Sequence, residues 1–366
     1  MPSAIRFQRP ELPPTPAIDR YFDLARATRW FTNGGPCCRL LSKRLSERVG
    51  AYCTPVSSGT LGLMVALSAV LGERSGGQAL IPSFTFVATA QAAIWSNLRP
   101  RLHDVDPDSW HLAPEQLEAS LADPCEARAV IAVSAFGTPP PAEQRKRWEQ
   151  SCREAGVPLI VDSAAGFGAV AEDGAPIGAQ GDVEVVSFHA TKPFGIGEGG
   201  AVFTRHRGLH EQIEREVNFG FRPDHSIASV RGLNAKMSEL HAATALAVLD
   251  DFEQVLDRRR SAAESLREQI GAGPSWQREC RRSAWQFAPL LFEDEESRDR
   301  ALANCHDTVE TRIYYQPLQH LIPAQASAVQ GGTPHAEDLY RRLLCLPMAN
   351  DLSEKEVATI AAAVRP

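Results

Sequence analysis

The sequence is poor in lysine, and this scarcity makes each lysine informative. Of the 366 residues only five are lysines, which are Lys43, Lys146, Lys192, Lys236 and Lys355. The formal net charge is -7, so the chain has no overall basic field with which to hold nucleic acid. Apolar runs are all too short to cross a bilayer, so we expect no membrane segment.

Metal and disulfide patterns are also missing. Eight cysteines are present, but no two of them have C-x-x-C spacing. This pattern predicts neither a zinc site nor a disulfide framework, and we expect no bound metal. The beginning of the chain lacks the apolar run of a signal peptide. Reduced thiols and no targeting segment together predict a cytoplasmic protein.

Short apolar runs alternate with helical patterns as far as about residue 250. The runs at 127–135 and 158–161 are typical of buried strands, and this alternation predicts a largely parallel sheet covered by helices on both faces. One continuous helical pattern then covers residues 238–270. We therefore predict a large domain over 1–250 and a small α+β domain over 251–366.

Lys192 has the most unusual setting among the lysines. It follows a predicted buried strand and precedes a glycine-rich turn. A lysine in such a place is costly unless it is paired or used covalently. Schiff-base chemistry needs an amine with a lowered pKa in a confined site. The glycines could instead indicate a dinucleotide loop, but no helix with the required spacing follows.

Three more segments stand where strands are predicted to end, which is where ligands bind in open α/β sheets. Residues 57–60 read Ser-Ser-Gly-Thr and either cap a helix or cradle a phosphate. Asp162 either caps a helix, binds Mg²⁺, or holds the pyridine nitrogen of pyridoxal phosphate (PLP) in its protonated form. Phe84 and Phe86 either pack in the core or stack on a planar ring.

Taken in order, these segments resemble the DegT/DnrJ/EryC1/StrS family of fold-type I PLP enzymes, mostly aminotransferases acting on nucleotide-linked keto sugars. The resemblance runs from about residue 32 to residue 366. Its motifs are SSGT, IPSFTFVATA, DVDPDSWHLAP, SFHATK with EGGAVFT, NFGF, GLNAKMSELHAA, TRIYYQPL and LCLPM. It implies a large domain with a mainly parallel seven-stranded sheet covered by helices, plus a small C-terminal α+β domain.

The resemblance also implies roles for single residues. Lys192 would carry PLP as a Schiff base and shuttle the proton, with pyridoxamine phosphate as the intermediate. Asp162 would pair with the pyridine nitrogen. The other residues implied at the cofactor are Ser58, Gly59, Thr60 and Ser187 around the phosphate, Phe86 on the ring, and Asn234 reaching the phosphate of the other subunit. Those implied near the substrate sugar are His189, Phe194 and Tyr314.

Two positions depart from the family pattern. The family usually has Gln or His three residues after the aspartate, where it contacts the phenolic oxygen of the cofactor, and this chain has Ala165 there. Ser163 is in the wrong phase to replace that contact. Many relatives have His directly after the motif TRIYYQPL, whereas this chain has Gln319 followed by His320, a region that we expect to influence substrate choice.

The function implied is transfer of an amino group from glutamate or glutamine to a keto group of a nucleotide-linked deoxy sugar or a related cyclic polyol. The nucleotide implied is dTDP, and the assembly implied is a homodimer with composite active sites. Two alternatives stay open at this point. A dehydratase or deoxygenase of the same family is one, although family dehydratases that use pyridoxamine phosphate replace the lysine with His. A non-catalytic PLP-fold sensor is the other.

Overall fold

The structure is a computed structural model, and it describes residues 4–72, 74, 76–122, 126–222, 224–227 and 231–365. Its strands, in chain order, are β1 (Tyr52–Val56), β2 (Gln78–Pro82), β3 (Arg99–His103), β4 (Ala127–Val133), β5 (Leu159–Asp162), β6 (Val183–Ser187), β7 (Gly200–Thr204), β8 (Ser275–Trp276), β9 (Ala288–Leu291), β10 (Ser327–Ala328) and β11 (Leu343–Leu346).

The helices supply the layers that cover these strands. They are α1 (Thr15–Thr28), α2 (Pro36–Val49), α3 (Gly59–Leu71), α4 (Val87–Trp95), α5 (Pro114–Ala122), α6 (Ala142–Ala155), α7 (Arg207–Val217), α8 (Glu239–Asp250), α9 (Phe252–Ile270), α10 (Glu295–Cys305), α11 (Leu318–Leu321), α12 (Pro334–Arg342) and α13 (Glu354–Val364). None of the helices in the described part of the chain is long and apolar enough to cross a membrane.

Within the described residues the strands form two sheets. The larger has the order β1-β7-β6-β5-β4-β2-β3-β10, and the neighbours from β6 to β10 are all parallel. Strand β7 is antiparallel to both of its neighbours. The predicted α/β class with a mainly parallel sheet is therefore confirmed. The sheet has eight strands and not the seven that the resemblance implied, because the two-residue strand β10 from the C-terminal part is added at the edge.

The larger sheet is buried on both faces, which explains its near-continuous apolar strands. One core cluster packs α3 and α4 against it, and a second packs α2 and α8 against strands β1, β6 and β7. Parallel strands joined by helices bring their carboxyl ends to one edge. Strands β4, β5 and β6 end there at Val133, Asp162 and Ser187, so polar residues that are distant in sequence meet at that edge.

The C-terminal part has a sheet and a core of its own. Strands β8, β9 and β11 are antiparallel, and α9, α10 and α13 pack on them around buried residues such as Leu290 and Ile360. The helical pattern predicted as continuous over 238–270 is interrupted at Asp251, which separates α8 from α9. Contacts also cross a division at residue 250, because Ile5 pairs with Val309, and β10 pairs with β3.

Candidate active site

A cavity of about 430 Å³ opens at the carboxyl ends of β4, β5 and β6. Ten of the residues predicted to form the site line it together. They are Ser58, Gly59, Thr60, Phe86, Asp162, Ala165, Ser187, His189, Lys192 and Tyr314. The fold has thus brought five separate segments of the chain to one place. Three of them, at 58–60, 162–165 and 187–192, lie next to the start of α3 and the ends of β5 and β6.

The start of α3 forms one wall of the cavity. The Ser58 hydroxyl accepts a hydrogen bond from the Leu61 amide at 3.2 Å, so this side chain caps the helix. A Cβ at Gly59 would lie 2.9 Å from the Ser187 Cβ, so only glycine lets β6 come this close. Backbone N–H groups at the helix start and the hydroxyls of Thr60 and Ser187 therefore border a pocket suited to a phosphate.

Asp162 ends β5 with its carboxylate inside the cavity wall. Its Oδ2 accepts a hydrogen bond from Thr89 Oγ1 at 2.7 Å, and its Oδ1 accepts one from the Ala164 amide at 3.2 Å. Burial raises the pKa of this carboxyl above its ordinary value, while the hydrogen bonds and the nearby Lys192 amine oppose that rise. A buried carboxylate with lone pairs still facing a cavity suits a cationic partner there.

Lys192 lies in a tight loop between β6 and β7. A Cβ at Gly195 would stand 2.5 Å from the Ala190 carbonyl oxygen, so the loop needs glycine to close. The lysine amine donates a hydrogen bond to Gln286 Oε1 at 3.1 Å. Burial lowers the pKa of the amine to about 8, and the Asp162 carboxylate acts against this shift. Part of the amine is therefore neutral and nucleophilic near neutral pH.

Ala165 lines the cavity and offers it no polar side-chain atom. Ser163 faces away from the cavity into a buried network, because its hydroxyl donates to Glu184 Oε1 at 2.5 Å and lies 2.9 Å from the Ser134 hydroxyl. The expectation that Ser163 cannot supply the missing contact agrees with this placement. Metal-ligand clusters of three or more His, Cys, Asp or Glu side chains do not occur among the residues that the structure describes.

The sequence model of the DegT/DnrJ/EryC1/StrS aminotransferase family matches residues 16–365. This protein belongs to that family. It is 32% identical over 372 residues to Protein Rv3402c of Mycobacterium tuberculosis, covering 99% of this chain and 89% of the relative. It is 30% identical over 380 residues to a dTDP-4-amino-4,6-dideoxy-D-glucose transaminase of Shigella dysenteriae, covering 100% and 99%.

Solved structures agree with this assignment. The crystal structure of DesI in the presence of its TDP-sugar product superposes with a TM-score of 0.87 at 30% identity, covering 100% of this chain and 94% of DesI. GDP-4-keto-6-deoxy-D-mannose-3-dehydratase of Escherichia coli superposes with a TM-score of 0.86 at 15% identity, covering 99% of this chain and 100% of that one. The fold by itself therefore does not separate transamination from dehydration.

As a DegT/DnrJ/EryC1/StrS aminotransferase, the protein is a PLP enzyme. The cavity fits this cofactor, because a reactive amine, a buried carboxylate and a small-residue helix start line the same space. When bound, PLP supplies an electron sink for the carbon that carries the amino group.

Phe194 was predicted to lie near the substrate sugar. Its ring is fully buried below the cavity, with ring centroids 4.6 Å from Phe188 and 4.9 Å from Phe252. Phe194 is not among the residues that line the cavity, and its place near the sugar stays a prediction. The chain turns back after Lys192, where the Ile196 amide donates to the Phe188 carbonyl at 2.9 Å. Two residues beyond the lysine, the side chain therefore points into the core.

Asn234 and Gln319 also lie outside the cavity lining. Asn234 is exposed and pairs through its backbone with Asn218. The Gln319 amide accepts a hydrogen bond from the Ser83 hydroxyl at 2.5 Å and donates to Thr333 Oγ1 at 2.7 Å. Gln319 thus connects α11 to Ser83 and Thr333. It is not among the residues that line the cavity of this chain.

Several residues that line the cavity were not predicted from the sequence, notably Gln8, Ser134, Gln286 and Tyr315. Gln8 lies near the N-terminus and Gln286 in the C-terminal part, and neither belongs to the motifs that carried the resemblance. One signal was present for Gln286, since a polar residue interrupts an otherwise apolar run from Ala284 to Leu291. Such an interruption in a buried strand pattern indicates a polar partner.

Proposed function

We propose that this enzyme moves an amino group from glutamate or glutamine to a keto carbon of a nucleotide-linked deoxy sugar or a related cyclic polyol, in amino-sugar or natural-product biosynthesis. The observation that carries the proposal is the Lys192 amine beside the Asp162 carboxylate at the end of the sheet. The choice of a dTDP sugar rests on similarity to the Shigella dysenteriae transaminase and to DesI.

The catalytic roles are divided between two side chains. Lys192 would hold the cofactor through its neutral amine and would take or return a proton at the substrate carbon that carries the amino group. A pKa near 8 suits this task, because the amine can both accept and release a proton near neutral pH. Asp162 keeps a proton on the ring nitrogen, since a buried carboxylate favours a cation at its open face.

Binding roles follow from the cavity walls. The amides of Gly59 and Thr60 and the hydroxyls of Thr60 and Ser187 would hold the phosphate, while Ser58 caps α3. Phe86 would stack on the ring, and the side chain of Ala165 would offer no hydrogen bond to the phenolic oxygen. His189 and Tyr314, which line the same cavity, contact the sugar.

A homodimer with shared active sites completes the proposal, and the cytoplasm is its expected location. Large apolar side chains such as Phe86 (59% exposed), Phe219 (46%) and Leu240 (50%) remain uncovered in the single chain. A second subunit would cover them and bring its Asn234 to the phosphate. Asn234 lies outside the cavity of its own chain, which is compatible with service in a partner's cavity.

Mixed dimers test the sharing of sites. Lys192→Ala and Asn234→Asp protomers should each be inactive alone, because one lacks the amine and the other puts a negative charge beside the phosphate. Dimers containing one of each should regain part of the parental activity, since one of their two sites has both native residues. Activity would be measured on dimers purified through two different affinity tags. If verified mixed dimers stay inactive, the two residues do not belong to different subunits of one site.

The reaction class is tested by the first half-reaction alone. Protein loaded with PLP is mixed with glutamate or glutamine and no keto sugar. An aminotransferase should lose its visible absorption and release about one keto acid per site, because the amino group stays on the enzyme. A sensor would bind without releasing keto acid, and this outcome would overturn the proposal.

The acceptor is tested in a second step, by adding dTDP-linked keto sugars to the aminated enzyme and weighing the products by mass spectrometry. A product that gains nitrogen supports the proposal. A product that loses one oxygen atom without gaining nitrogen, with release of ammonia, would identify a dehydratase instead. Lys192 favours the first result, because family dehydratases that use pyridoxamine phosphate have His at this position.

A further inference from the structure

Lys192 lies on the wall between two cavities. Behind it, away from the cavity described above, a second cavity of about 350 Å³ extends toward the α8–α9 junction. Five residues border both spaces, which are Gln8, Thr191, Lys192, Gln286 and Phe287. A released lysine side chain therefore has room on either side of this wall, and something must determine where its amine rests.

Gln286 is held rigidly at this wall by the C-terminal part of the chain. The preceding residue, Trp285, has a left-handed backbone with φ 56°, a conformation that a bulky residue keeps only when its surroundings fix it. The buried Arg259 guanidinium donates to the Trp285 carbonyl at 2.7 Å, and the Trp285 amide donates to Ser283 Oγ at 3.0 Å. Gln286 itself is 3% exposed.

The two ends of the Gln286 amide face different partners. Its Nε2 donates to the Thr191 carbonyl at 3.5 Å, so this end must be the nitrogen. Its Oε1 therefore faces the lysine amine, which donates to it at 3.1 Å. Asp162, by contrast, acts on the amine through space and makes its hydrogen bonds to Thr89 and Ala164.

We propose that Gln286 is a positioning residue for Lys192: its amide oxygen holds the free amine at the wall between the two cavities whenever the amine is not bonded to the cofactor. This rests on the proposed role of Lys192. An ammonium is a stronger donor than a neutral amine, so Gln286 also favours the protonated lysine. The amine thereby keeps both its place and its proton between the two half-reactions.

The test measures how Lys192 reacts in full-length protein whose cofactor has been released with hydroxylamine and removed by dialysis. An amine-selective acylating reagent attacks neutral amines, and peptide mass spectrometry follows each lysine as a function of pH. The exposed Lys355 in the same digest is the internal reference. In the parent, the labelling of Lys192 should rise through about pH 8.

Gln286→Leu removes the acceptor, so the pKa of the amine should fall by about one unit and labelling at pH 7 should be about fivefold faster. Gln286→Glu puts a carboxylate at the same place, so the pKa should rise and labelling at pH 7 should slow about tenfold. Gln277→Leu is the matched control, because Gln277 is also buried but donates to the Ser109 carbonyl. Its profile should equal that of the parent.

Identical Lys192 profiles in the parent, Gln286→Leu and Gln286→Glu would overturn the proposal. Equally faster labelling of Lys192 in Gln277→Leu would also overturn it, because the effect would then come from a general loosening of the protein. If Gln286→Leu does not fold, the direction in which Gln286→Glu shifts the pH profile of Lys192 labelling decides the test. The measurement needs no sugar substrate, so a failure here is separable from a failure of the proposed reaction. In the loaded enzyme, Gln286→Leu should lower kcat and leave the KM for glutamate unchanged.

Discussion

Two buried carboxylates on neighbouring strands show how the same group serves two purposes in this molecule. Asp162 ends β5 and Glu184 lies in β6, and both are almost fully shielded from solvent. Burial raises the pKa of both carboxyls, and that of Glu184 to about 7. Glu184 accepts hydrogen bonds from Ser163 and from the amides of Gly178 and Gln180 at 2.5 to 2.8 Å.

The two carboxylates differ in whether their oxygens can still interact with a ligand. The donors around Glu184 come from its own chain and close off its oxygens, so this carboxylate orders the loop before β6. Asp162 has fewer donors, faces a cavity and lies near an amine. A buried charge that its own chain does not fully satisfy is expensive, and such groups concentrate where chemistry occurs. The comparison predicts that one carboxylate controls activity and the other stability.

The largest effect is expected from changing each carboxylate to its amide. Asp162→Asn should slow transamination by about a hundredfold or more, because a neutral amide no longer keeps the ring nitrogen protonated. Some cofactor should remain bound through the phosphate pocket. Glu184→Gln, the matched change on the next strand, should keep most of the parental kcat in steady-state assays. If Asp162→Asn works as fast as the parent, the mechanism proposed for this residue is wrong.

Glu184 should make the free energy of unfolding depend on pH. Its pKa is raised in the folded state, so the folded protein holds a proton that the unfolded chain releases between about pH 4.5 and 7. The parent should therefore lose stability relative to Glu184→Gln as the pH rises through this window, by about 3 kcal/mol at most. Urea unfolding of both proteins at the two ends of the window measures this difference. A difference that is constant, or that changes in the opposite direction, would contradict the account.

The smallest effect is expected at Ala165, which lines the same cavity as Asp162. Ala165→Gln would add a polar group to the cavity wall near Asp162 and Lys192, and it should supply a contact worth about 0.5–1.5 kcal/mol. The pKa read from a pH titration of the visible cofactor band should therefore move by about one unit at most. An unchanged titration would mean that another group already holds the phenolic oxygen.

Strand order allowed the sequence to predict which polar residues come together at one edge of the sheet. Asp162 and Ser187 end apolar strands and Lys192 follows one, and parallel strands bring such ends together. Proximity along the chain was a poorer guide, as Phe194 shows: it is only two residues from Lys192, yet a tight turn sends its ring into the core.

Sequence patterns did not predict the contacts between distant segments of the chain. Gln286 reaches Lys192 because Arg259 fixes the backbone of Trp285, and no periodicity in the sequence encodes that contact. The interruption at Asp251 was missed for a related reason. Helical spacing continues through it, and packing of α8 on α2 and of α9 on α13 gives the two helices separate neighbours.

The most direct test of the central claim, that Lys192 and Asp162 form the reaction centre, is to locate the cofactor chemically. Protein carrying PLP is reduced with borohydride, digested, and mapped by mass spectrometry. We expect the cofactor to be fixed on Lys192, and we expect Lys192→Ala protein to carry none after the same treatment. Lys236 is the control, because it is another lysine whose pKa burial lowers, and its amine lies 4.3 Å from the centre of the Phe219 ring. Cofactor fixed on Lys236, or on any lysine other than Lys192, would contradict the account.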